Sequence, residues 1–142
     1  MPFESLHYKY PQLAAAETRA IILPSPDNEF GLPQGSYLFM EMFCNEKGCD
    51  CRRVMFSVYA DNQKEQLACI GYGWESESFY KKWMRTTDKA MARTLMKSSL
   101  VEMAPQSIYA GKILVMFNRV LLPQTSYLAR VKEHYKFFRK NL

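Results

Sequence analysis

From Thr18 onward the apolar positions fall into short runs separated by turn-forming residues. TRAIIL (18–23) reads as a strand that Pro24 and Pro26 bring to an end, and PSPDNEFGLPQGS (24–36) is a loop by its Pro, Gly, Asn and Asp content. Three further β-like runs follow: SYLFMEMF (36–43), RRVMFSVYA (52–60) and EQLACIGYG (65–73). Each is rich in aromatic and long apolar side chains and bounded by turn signals. The connections CNEKGCDC and DNQK are too short for a crossover, so an antiparallel meander is the economical arrangement.

After Trp74 the apolar period lengthens. ESESFYKKWM opens with acidic and hydroxyl residues and then spaces Phe79, Tyr80 and Trp83 as a helix would. A short helix is expected around Asp88–Met96. Ser107 can cap another from about Ile108 to Leu122, in which Ile113, Leu114, Phe117, Val120 and Leu121 recur at three- and four-residue steps; Pro123 stops it and Gly111 weakens it. TSYLARVKEHYKFFRKNL (125–142) is the clearest helix, with Leu128, Val131, Tyr135 and Phe138 along one face. Strands first and helices later predict an α+β fold: an antiparallel β-meander of three to four strands followed by two to four helices packed on one face, in a single domain over residues 1–142.

Composition agrees with this picture. A hydrophobic fraction of 48% in 142 residues supports a sizeable core without disulfides or other staples. The N-terminus MPFESLHYKYPQL lacks a basic segment followed by an apolar one, and runs such as Ile113–Phe117 fall far short of a membrane span. The expectation is a soluble, cytoplasmic protein with no membrane partner. Charge changes the picture more. Residues 1–75 carry 6 Lys+Arg against 10 Asp+Glu and residues 76–142 carry 13 against 4, so the net +5 conceals halves of −4 and +9. A basic half suits an anionic macromolecule, nucleic acid included, bound by charge without sequence preference. It equally suits the solvated outer faces of helices.

The densest chemistry is FCNEKGCDCRRV (43–54), which holds three of the four cysteines in a C-x4-C-x-C spacing. In a reducing compartment clustered thiols point to metal binding or redox work. If Asn45–Gly48 forms a four-residue hairpin loop, Cys44 and Cys49 oppose each other, and strand alternation puts Cys51 on the face of Cys49. Directly opposed Cβ atoms lie about 4.5–5.5 Å apart, and sulfurs on a tetrahedral zinc sit roughly 3.8 Å apart. Lys47, Arg52 and Arg53 are expected to favour thiolates. The predicted metal ligands are therefore Cys44, Cys49 and Cys51, with zinc as the cofactor. No fourth ligand is adjacent. His134 could fold back over the hairpin; His7, Asp50, Glu46 or water are the other options. Cys69 is a poor one, since the meander pairs it with Phe56 or Ser57, roughly 16–20 Å from Cys51 at strand spacing.

Two lesser constellations stand out. His134-Tyr135 beside Arg130 and Arg139 could hold a phosphate, and Gly71-Tyr72-Gly73-Trp74 could stack a base; both patterns also arise from ordinary core packing. No phosphate-binding glycine loop, nucleophile elbow or zinc-protease motif is present. The sequence thus predicts a non-enzymatic, zinc-stabilised module that binds an unidentified macromolecule. The alternative is a thiol-dependent redox protein or small enzyme working through Cys44, Cys49 and Cys51.

Overall fold

The computed structural model describes residues 2–61 and 63–142. Six strands and six α-helices follow one another along it: β1 (Phe3–Ser5), α1 (Leu6–Lys9), α2 (Pro11–Glu17), β2 (Arg19–Leu23), β3 (Gly35–Cys44), β4 (Arg53–Ala60), β5 (Ala68–Gly73), α3 (Glu77–Met84), α4 (Lys89–Met96), β6 (Ser99–Leu100), α5 (Ala110–Met116) and α6 (Thr125–Lys140). All strands join one antiparallel sheet in the order β1-β3-β4-β5-β6, and β2 shares the β1 edge by pairing with the first half of β3. The expected meander is its centre, β3-β4-β5.

Strand alternation sorts β3 into two faces. Tyr37, Phe39, Glu41 and Phe43 are buried under helices, whereas Leu38, Met40 and Met42 are half-exposed on the other side. The covered face meets α6, whose Tyr127, Val131, His134, Tyr135 and Phe138 recur at helical spacing and are all buried. Phe39 and Phe56 pack on Phe117, and Phe43 packs on Phe138 at 5.8 Å between ring centroids. Each such ring contributes about 1.5–3 kcal/mol by leaving water.

The helices do not all lie on one face, and two of them precede the meander. Ser5 caps α1, accepting from Tyr8 N, and Pro11 opens α2 at a position where its missing N–H costs nothing. Ser76 and Asp88 cap α3 and α4. These two helices cover the end of the opposite face. Arg53, buried there, donates through Nε to the Leu95 carbonyl at 3.1 Å. A Cβ at Gly73 would collide with the same carbonyl and with the Tyr80 hydroxyl, so glycine lets the helices sit on the strand. The expected helix near 108–122 is α5 followed by a π-helical turn, Phe117–Leu121, ahead of Pro123. Among the described residues no helix is long and apolar enough to cross a membrane.

Candidate metal centre

The strand register corrects the hairpin expected at the cysteine cluster. Met42 pairs with Met55, so extending the ladder would set Cys44 opposite Arg53 rather than Cys49. The connection is a loop of residues 45–52, and β4 begins one residue later than the sequence pattern suggests. Within the loop Cys49 N donates to Glu46 O at 3.2 Å, closing a turn in which Gly48 takes φ +78°. Arg52 is left-handed too, at φ +49°, which swings the chain out of strand geometry just after Cys51.

That irregular path brings the three thiols together all the same. The sulfurs of Cys44, Cys49 and Cys51 lie within 4.8 Å of one another. Cys44 and Cys51 are buried, and Cys49 is half-buried. A tetrahedral zinc would need a contraction of about 1 Å at most, within reach of small rotamer changes.

Three partners hold the loop in this shape. Tyr135 of α6 accepts the Arg52 N–H through its hydroxyl at 3.1 Å. Tyr80 of α3 donates its hydroxyl to the Arg52 carbonyl at 2.8 Å, so both backbone groups of the left-handed residue are satisfied. Arg139, at the end of α6, donates Nη1 to the carbonyls of Cys44 (2.9 Å) and Glu46 (2.8 Å) and Nη2 to that of Cys49. One guanidinium therefore ties the carbonyl at the end of β3 to two in the loop, and two of the three belong to cysteines.

The nearby cations do not act on the thiols as expected. Arg52 turns to Asp50 (Nη2 to Oδ2 2.9 Å) and Glu75 (3.2 Å), and Arg53 runs beneath the sheet to α4. Burial first, and the neighbouring Cys49 second, push the Cys51 thiol up to about 12. Burial likewise raises Cys49, with Cys44 next to it adding to the effect. Without a cation at the centre these are protonated thiols.

The other residues named from the sequence lie elsewhere. His134 is buried with both ring nitrogens engaged: Nδ1 lies 2.7 Å from Glu41 Oε1 and Nε2 2.8 Å from Glu17 Oε1. It does not join the cysteines. Cys69 is buried opposite Ser57, one of its two expected partners, on the face away from the core. His7 is exposed on α1. Asp50 faces Arg52 and Tyr135, whose hydroxyl lies 3.3 Å away, and the Arg52 hydrogen bonds hold its carboxyl below the usual range. Sequence reasoning missed the Arg139 clamp, the two tyrosine hydroxyls on Arg52 and the carboxylates around His134. Only Glu41 left a legible signal, as a charged residue in the core-facing register of β3.

The chain matches no family model, no curated protein and no solved structure, so the chemistry of the site rests on its geometry.

Proposed function

We propose that Cys44, Cys49 and Cys51 bind one zinc ion as thiolates, and that this centre shapes the loop of a non-enzymatic module that binds another macromolecule. The observation that carries the reading is the approach of three sulfur atoms to within 4.8 Å in a loop whose backbone is tied from three sides. Zinc suits an all-sulfur donor set, and water fills the fourth position. The raised pKa values of Cys49 and Cys51 argue against a reactive thiol. A protonated buried thiol is a poor nucleophile, whereas a cation among three sulfurs displaces their protons. The Arg139 guanidinium lies on the same loop, where its charge opposes the net negative charge of a zinc trithiolate.

The test is elemental analysis with a thiol count on protein purified without chelator. The expected result is one zinc per chain, three thiols masked until a chelator is added, and loss of zinc in Cys49→Ser. Metal binding is coupled to folding, so that variant should also lose at least a few kcal/mol, each of which shifts the midpoint by roughly 2–4 °C in a chain of this size. Metal-free protein with Cys49→Ser as stable as the parent refutes the proposal. A second reading, a redox dithiol, draws on the half-buried Cys49 touching two buried thiols. It requires metal-free protein with a reversible internal disulfide.

A further inference from the structure

Two patterns that are remote in sequence, the GYGW stretch ending at Trp74 and the basic side of α6, meet beside the cysteine loop. They line a cleft of about 390 Å³ whose aromatic wall is Trp74 and Tyr135 and whose basic wall is Lys132 and Lys136. We infer that this cleft takes one nucleotide of a single-stranded nucleic acid, the base against Trp74 and the phosphate between the two lysines. The inference rests on the interaction-module reading above and names the partner.

The argument is one of shape and charge. Trp74 and Tyr135 meet edge-on at 5.1 Å between centroids and 81° between planes, which fixes the indole while leaving it half-exposed. A fixed aromatic surface beside positive charge is how proteins hold unpaired bases, because every base has a π-face to stack. Lys132 and Lys136 stand one helical turn apart, and among the described residues the ion pair of Lys136 is an exposed contact to Glu133 at 3.4 Å. Two carboxylates also line the cleft, Asp50 and Glu75, but both are committed to Arg52, leaving the lysines to set the local sign. The volume falls within the range of small-ligand sites, enough for one nucleotide. Tyr135 and Phe138, the aromatic residues of the α6 stripe, are themselves buried, so the stacking surface comes from β5's end rather than from the basic helix.

The chain has two tryptophans, so Trp83→Phe leaves Trp74 as the reporter. That variant is titrated with a single-stranded oligouridylate of about twelve nucleotides and with a duplex of the same length, at about 50 mM salt. Expected are quenching of Trp74 by the strand, weaker binding of the duplex, and a drop of roughly tenfold or more when Lys132→Glu and Lys136→Glu are combined. Trp74→Leu should remove the preference for single strands while leaving the salt-sensitive part. No quenching or binding at tens of micromolar protein overturns the inference. So does equal affinity for strand and duplex, insensitivity to the lysine pair, or equal competition by polyglutamate, which would assign the cleft to an acidic protein. Zinc is measured on the same preparation. Zinc-loaded protein that ignores the strand defeats this inference alone, and metal-free protein that binds it defeats the metal centre alone.

Discussion

His134 shows what a single residue decides here. A neutral imidazole carries one N–H, yet both ring nitrogens approach carboxylate oxygens, at 2.7 and 2.8 Å. With both carboxylates ionised, both contacts are hydrogen bonds only if both nitrogens are donors, which is the imidazolium form. Burial opposes that charge most strongly, but the two carboxylates together outweigh it and the pKa is raised. The sign follows from linkage. A cation favoured by the folded state contributes its full stability below the unfolded histidine value of about 6.5 and loses it as pH rises through the higher folded value. Denaturant titrations across that interval should show declining stability in the parent and a flatter profile in His134→Ala. At about pH 6 that substitution should cost about 3–5 kcal/mol, because the Glu41 carboxylate stays buried without its partner. A parent profile no steeper than that of the variant contradicts the imidazolium assignment.

At the scale of elements, the loop 45–52 belongs as much to α6 as to its flanking strands. Tyr135 and Arg139 sit one turn apart on that helix, and each grips the loop backbone, at Arg52 N and at the carbonyls of Cys44, Glu46 and Cys49. The helix places these donors because Val131, Tyr135 and Phe138 anchor it to the sheet. Arg139→Ala should therefore leave the fold in place and loosen the thiols. Groups that orient metal ligands commonly contribute about 10–100-fold in affinity, and a loss of that size in competition with a chromophoric zinc chelator is expected. Arg139→Lys should restore little, since one ammonium cannot reproduce the forked geometry. Unchanged affinity in Arg139→Ala would limit the clamp to a packing role.

For the whole molecule, the candidate centre lies where β3, the start of β4, α3 and α6 converge. Tyr80 reaches it from the opposite side of the sheet to α6. Removing zinc should thus lower the stability of the entire transition rather than free one loop. Far-ultraviolet circular dichroism and tryptophan fluorescence should shift together on adding chelator, and restoring zinc should reverse both, because a ligand held only by the native state stabilises that state as a unit. Separate transitions by the two probes would mean that the centre is energetically local.

What was legible in the chain was what repeats. The 3.6 period of α6 declares which side faces a core, since burying one face is the main driving force and recurs along the element, whereas β3 is apolar on both faces and carries its one charge, Glu41, on the buried one. The short connection between β4 and β5 narrowed the partner of Cys69 to Phe56 or Ser57, and the register chose Ser57. The clustering of Cys44, Cys49 and Cys51 was also legible, because Asn45–Gly48 signals a chain reversal that brings the residues on its two sides together. Tertiary structure decided the rest. β1 and β6 are three and two residues long, too short for a period, and exist because β3 and β5 offer them a free edge. The site of α3 and α4 depends on Gly73 and a buried arginine on the far side of the sheet. Arg52 holds φ +49° only because Tyr80 and Tyr135, distant in sequence, satisfy its backbone. His134 went to Glu41 and Glu17 rather than to the thiols for the same reason: a buried polar group takes the partner that the packed elements place within reach, and spacing along the chain carries no record of that distance.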